Sequence, residues 1–130
     1  MIIIFDDTSL TDLDFVKKTI KIFKNKKLIV NKKNIGAGLS RNKGIKFSRG
    51  NYISFCDADD LWDKNKLKLQ LDFMKKNQLS FSHSSYKIID QAGKKISSFI
   101  VDHKIDYSNL IKSCDIGLST VMCKKKILKS

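Results

Sequence analysis

The chain has 130 residues, enough for one modest domain that buries about two-thirds of the surface its unfolded form exposes. With 42% hydrophobic and 30% charged residues it is too apolar for a disordered chain and ordinary for a globular one. The net charge of +13 is almost all lysine, and the clusters "KKTIKIFKNKK" and "CKKKILK" lack the interleaved aromatics of a stacking surface, so no nucleic-acid partner is expected.

The same charge would suit peripheral contact with an acidic membrane surface. No apolar run approaches the ~20 residues of a membrane span. The start "MIIIFDD" turns acidic too early for a signal peptide, so a cytoplasmic location, at the inner face of the membrane if that contact is made, is expected.

In chain order, "IIIF" (2–5) reads as a short buried strand. Thr11 and Asp14 then form a capping-box variant, and Leu13, Val16, Ile20 and Phe23 make the apolar stripe of an amphipathic helix. "KLIVN" (27–31) is a second strand, and "NIGAGLSRNKGIKFS" (34–48) is a glycine-rich loop running into a second helix. "NYISFC" (51–56) is a third strand. The order β-α-β-α-β predicts an α/β protein with a parallel, doubly wound first half and right-handed crossovers.

Beyond it, "DKNKLKLQLDFMKKN" (63–77) is expected to be helical, with Leu67, Leu71 and Met74 on one face. "LSFSH" (79–83) reads as a strand, and "YKIID" and "KISSFIV" as a hairpin turned at Gly93. A short helix around "YSNLIKS", a strand "LSTVMC" and a final basic helical turn follow, giving a mixed or antiparallel second half.

Ligands of parallel α/β sheets bind beyond the carboxyl ends of the strands. Two acidic groups fall there: Asp6 and Asp7 after the first strand, and Asp57, Asp59 and Asp60 after the third. Three carboxylates in four positions repel one another unless a cation or hydrogen-bond donors meet them. On extended backbone, Asp57 and Asp59 project to one side and can share a cation, and oxygen-only ligation suits Mg²⁺ or Mn²⁺. An EF-hand is excluded, because Leu61 and Trp62 stand where its loop needs a polar ligand and a glycine. Asp60 is expected to cap the helix that follows.

The loop "GAGLSRNKG" fits neither the dinucleotide nor the P-loop pattern, since Arg41 replaces the third glycine and G-K-[ST] is absent. Its functional reading is a helix start at which backbone amides and Arg41 face a phosphate or ribose. Cys56, Cys114 and Cys123 show no metal or disulfide spacing and read as buried free thiols. His83 and His103 share no element and read as surface or satisfied histidines. No hydrolase nucleophile pattern is present in the sequence.

"FDDTSLTD" followed by "NIGAGLSRNKGIKFSRGNYISFCDADDLWDKNKLKLQ" resembles the nucleotide-binding half of family-2 glycosyltransferases, inverting enzymes with the GT-A (Rossmann-like) fold. The likeness rests on Asn34, Gly36, Arg41, Asn42, Gly44, Gly50, Tyr52, Ile53, Phe55, Asp57, Asp59, Asp60 and Trp62. It implies a single partial domain over 1–130, with 1–62 as the nucleotide-sugar half and 63–130 opening the acceptor side.

By the same resemblance, Asp6 and Asp7 would accept hydrogen bonds from the nucleotide base, with Asn34 and Arg41 near the sugar-nucleotide. Asp57 would contact ribose or metal, and Asp59 would hold the Mg²⁺ or Mn²⁺ that bridges the diphosphate. The donor would be a UDP-sugar and the acceptor a saccharide or a lipid-linked one, in bacterial polysaccharide or lipopolysaccharide synthesis. Thr8 and Leu10 depart from the family pattern. The family's first strand precedes this start, and its acidic base falls beyond Ser130, so a fragment incomplete at both ends is expected. The alternatives are a non-catalytic remnant that only binds nucleotide-sugar, and a sugar nucleotidyltransferase, though "FDDTSL" lacks the glycine- and lysine-rich loop of the latter.

Overall fold

The computed structural model describes residues 1–6, 13–101, 108 and 116–128. The chain divides into two compact units, Met1–Gly50 and Asn51–Ser130.

The first unit is a β-α-β-α arrangement. Strand β1 (Ile2–Phe5) pairs in parallel with β2 (Lys27–Val30), Ile3 opposite Leu28 and Ile4 opposite Ile29. Between them run α1 (Leu13–Thr19) and a 3-10 turn, Ile20–Ile22. Leu13 and Val16 are half-buried and Ile20 is buried, as the stripe requires, but Phe23 lies beyond the helix in extended backbone and is exposed. The proposed cap Thr11 lies outside the described residues.

Helix α2 (Ala37–Phe47) begins at Gly36, whose φ of 86° lies where side chains are strained, so the tight entry favours glycine. At Gly44 a β-carbon would stand 3.1 Å from Ile4 Cδ1, so the absent side chain lets α2 lie close on β1. The ammonium of Lys27 sits 3.4 Å from the Phe47 ring centre, at the other end of the helix.

The second unit holds a three-stranded sheet in the order β3-β7-β4, formed by Tyr52–Ser54, Met122–Lys124 and Phe81–Ser82. Both outer strands run antiparallel to β7, with Ile53 and Phe81 flanking Cys123. The element order of the first three strands is the expected one, while the ladder of β3 is antiparallel to β7. "LSTVMC" proves to be a 3-10 turn, Leu118–Thr120, followed by β7. A second 3-10 turn, Lys125–Leu128, is the expected final basic turn.

Helix α3 (Lys66–Lys76) buries Gln70 and Met74, with Leu71 half-buried; Leu67, expected on the inner face, is exposed. Gln70 belongs inside because its amide nitrogen donates to three acceptors: the Ser82 carbonyl, the Ser82 hydroxyl and the Thr120 carbonyl. Buried backbone acceptors next to short strands need such a donor.

The hairpin β5 (Tyr86–Ile89) and β6 (Lys95–Phe99) forms a separate two-stranded sheet. Asp90 closes it, its carboxylate accepting from Ala92 N and Lys94 N, and Gly93 takes a φ of 79°. The expected helix around "YSNLIKS" lies almost wholly outside the described residues. Cys123 is a buried thiol, only 1% exposed; Cys56 is exposed, correcting the expectation for it, and Cys114 lies outside the described residues.

Candidate functional site

Each unit carries part of the predicted acidic constellation. In the first, Asp6 follows β1 directly, and its Oδ1 accepts from Asn31 Nδ2 at 2.8 Å and from Ile35 N–H at 2.9 Å. Asn31 is 5% exposed and follows β2 directly. Its amide nitrogen also donates to Ser40 Oγ at 2.8 Å, and its oxygen accepts from Lys43 Nζ at 2.6 Å. Asp6 therefore anchors the glycine loop to the ends of both strands.

The Ile35 N–H bond is the main cause holding the Asp6 carboxyl below its ordinary value of 3.8; desolvation opposes it, and Asn31, Ser40 and Gly36 help. A depressed folded value means a stabilising contribution that is complete above the unfolded group's titration. It is lost as pH falls through the folded value. We therefore expect the Ile35 amide proton to titrate in NMR with a midpoint below 3.8, and Asp6→Asn to abolish that transition. A midpoint at or above 3.8 would contradict the anchoring role.

Asn34 is exposed, and its side-chain oxygen accepts from Gly36 N–H at 3.0 Å, a local turn that shapes the entry to α2. Arg41 is half-buried on the first turn and a half of α2. Asp7 lies outside the described residues.

The second unit carries the other aspartates. The segment after β3 is a turn, not the extended run that the convergence of Asp57 and Asp59 was argued from: Asp60 N–H donates to the Asp57 carbonyl at 3.2 Å across Ala58 and Asp59. Asp57 is half-buried, while Asp59 and Asp60 are exposed. Asp60 does not cap α3, which starts six residues later; Asp63 instead accepts from Asn65 N–H at 2.8 Å.

The turn is fastened to a distant segment. Asp57 N–H donates to Ser119 Oγ at 3.0 Å, and the Trp62 indole N–H donates to the Ser119 carbonyl at 2.8 Å. Ser119 is thus a two-point clamp on the aspartate turn. The ammonium of Lys66 lies 4.7 Å from the Trp62 ring centre and donates to Gln70 Oε1 at 2.8 Å. Burial lowers the pKa of Lys66 and raises that of the Cys56 thiol; Asp60 and Asp57 add to the rise at Cys56. The rise works against the thiolate form that a nucleophilic cysteine needs. Burial also lowers the pKa of His83, whose Nδ1 is buried without a partner among the described residues, so "satisfied" does not describe it. His103 lies outside them.

The sequence reading located the aspartates but missed Asn31, Ser40, Lys66, Gln70 and Ser119. Asn31 carried a signal, a polar residue directly after an apolar strand. Ser119 carried none, because its partners stand about sixty positions away.

Comparison with known proteins adds the remaining findings. The family model described as "Glycosyl transferase family 2" matches residues 1–128. The chain is 36% identical over 123 residues to UDP-Glc:alpha-D-GlcNAc-diphosphoundecaprenol beta-1,3-glucosyltransferase WfgD of Escherichia coli, covering 95% of this chain and 46% of that protein. It is 34% identical over 132 residues to the E. coli enzyme WfaP, named for the same reaction, with 99% and 51% covered. To an uncharacterized glycosyltransferase of Rickettsia bellii it is 42% identical over 126 residues, with 93% and 18% covered. The chain spans about half the length of these relatives, or less.

Proposed function

Because the chain belongs to glycosyl transferase family 2, we propose that it carries the donor-binding part of an enzyme moving a sugar from a nucleotide-diphosphate sugar to a saccharide or lipid-linked acceptor. Bacterial surface-polysaccharide synthesis is the setting, and a UDP-sugar the donor. The support is that WfgD and WfaP are named for transfer from UDP-glucose to a diphosphoundecaprenol-linked sugar. The observation that carries the reading is the aspartate turn at the carboxyl end of β3, held by Ser119 inside the matched stretch.

Asp59 and Asp57 would hold a divalent cation. Among the described residues no cluster of three or more acidic, His or Cys side chains is placed to bind a metal. That donor set fits Mg²⁺ or Mn²⁺ better than a structural metal, since these ions take one or two carboxylates and complete their shell with substrate phosphates and water. Such a cation would supply charge stabilisation for the departing diphosphate. The chain's own part is the backbone turn from Asp57 to Asp60 that carries these two aspartates; by the family resemblance, Asn34 and Arg41 would serve the sugar-nucleotide and Asp7 the base. None of the described residues is assigned as the base that takes the acceptor's proton. No helix among them is long and apolar enough to cross a membrane, and the +13 charge supports peripheral contact with an acidic membrane surface at its cytoplasmic face.

The test is calorimetry with UDP, with and without Mn²⁺. The folded chain is expected to bind UDP only when Mn²⁺ is present, and Asp59→Ala to weaken that binding by about tenfold or more, about 1.4 kcal/mol. Folded chain showing no Mn²⁺-dependent UDP binding would overturn the reading.

A further inference from the structure

Lys66 is a half-buried cation beside the aspartate turn, held by neutral side chains. It opens α3, where the helix dipole already presents positive charge, and no acidic residue occupies that first turn. The side chain is half-buried. Its ammonium meets the Gln70 amide oxygen at 2.8 Å and the Trp62 ring at 4.7 Å, and the Cys56 thiol is near enough to interact with it electrostatically. Among the described residues Lys66 forms no ion pair. Asp63, on Asn65 N–H, answers part of the helix dipole, and a half-buried ammonium with no ion-pair partner of its own gains further from an anion that meets it.

The position of that charge is fixed by geometry. Trp62, over which Lys66 lies, is bonded to the Ser119 carbonyl, and the hydroxyl of the same serine holds Asp57 N–H. Gln70, which holds Lys66 from the other side, is itself tied to Ser82 and Thr120. An ammonium with three N–H donors and one oxygen acceptor here has donors left to give. The ring and the amide restrict the flexible stem, which lowers the entropy lost when an anion is met.

We propose that Lys66 is an anion-binding residue of the aspartate-turn site, contacting the phosphoryl oxygens of the nucleotide-diphosphate donor. This rests on the donor-site reading above and adds to it a protein-borne positive charge that acts beside the cation. As the acceptor's hydroxyl oxygen bonds to the anomeric carbon and gives up its proton to a base, the bond from that carbon to the diphosphate oxygen breaks, its electron pair passes to that oxygen, and a fixed ammonium would stabilise the charge that develops on the departing nucleoside diphosphate. Asp57 and Asp59 draw the cation, and Lys66 draws the phosphates themselves.

The experiment compares wild type, Lys66→Met, Lys66→Arg and Asp59→Ala for binding of UDP and of uridine in Mn²⁺, with far-ultraviolet circular dichroism and a urea titration confirming that each variant is folded. Lys66→Met is expected to weaken UDP about tenfold and to leave uridine, which has no phosphate, within about twofold; tenfold is about 1.4 kcal/mol. Lys66→Arg is expected to keep UDP binding within about threefold, because it retains the charge. The dependence of UDP affinity on salt is expected to flatten in Lys66→Met. Equal UDP affinity in wild type and Lys66→Met, with Asp59→Ala still defective, would overturn the role of Lys66 alone. An equal loss for UDP and uridine would overturn it too, by showing an effect on the fold of the pocket. Absence of Mn²⁺-dependent UDP binding by the wild type would overturn the donor-site reading and this inference with it.

Discussion

Met74→Ala is expected to destabilise the second unit by about 2–5 kcal/mol, the range for removing a large buried aliphatic side chain. Met74 is 0% exposed and is, with Cys123, one of the two fully buried side chains in the described structure. It lies on the inner face of α3, one turn beyond Gln70. With so small a core, little else can move in to fill the space it leaves. Trp62 is the single tryptophan of the chain and lies in this unit, so its fluorescence during a urea titration reports the unit directly. At a slope of about 1–3 kcal/mol per molar urea, the midpoint should fall by about 0.7 M or more. Met74→Leu conserves volume and should cost less than about 1.5 kcal/mol. A loss below about 0.5 kcal/mol in Met74→Ala is what a surface position gives, and would contradict the packing described.

Gln70→Leu is the second large effect. Leucine fills similar volume but cannot donate to Ser82 or Thr120, nor accept from Lys66. Leaving buried acceptors unpaired costs about 1–3 kcal/mol. The expected result is a loss in that range by the same urea titration, together with a shifted Trp62 emission, because Lys66 loses the partner that holds it over the indole. Gln70 and Met74 are one helical turn apart, so the double variant should depart from additivity by about 0.5 kcal/mol or more. Unchanged stability in Gln70→Leu would mean that water satisfies the sheet's carbonyls in place of this side chain.

Those residues also mark the limit of what the sequence disclosed. Apolar spacing placed α3 correctly, and it placed Met74 inside. It also put Leu67 inside, where the structure has Gln70. Periodicity weighs a residue by its own hydrophobicity, whereas Gln70 is held inside by acceptors supplied twelve and fifty positions away. The aspartates were found because like charges beside an apolar strand are conspicuous. Their backbone was misjudged as extended, although the turn preference of Asp at Asp57 and Asp60 was there to be read. At the other acidic group the position of Asp6 was legible and its work was not, since Asn31 and Ile35 meet it only once β1 and β2 have paired. The hairpin, by contrast, was read almost to the residue, because Asp90 and Gly93 set its turn locally.

The strand order of the second unit has a consequence for how the protein is made. β7 is the middle strand of its sheet yet, of the three described strands in that sheet, the last to be synthesised, pairing Cys123 with Ile53 across seventy positions. At about 5–20 residues per second, β3 has no sheet partner for on the order of ten seconds of synthesis. Through that interval β3 and β4 are open edges in a nascent chain, and the aspartate turn cannot be clamped, because Ser119 comes just ahead of the same late strand. Slower translation over the codons for residues 55–124 therefore lengthens the time for which β3 is open to wrong pairing, and a chaperone that holds the nascent chain through that window is expected to raise the yield of correctly folded protein.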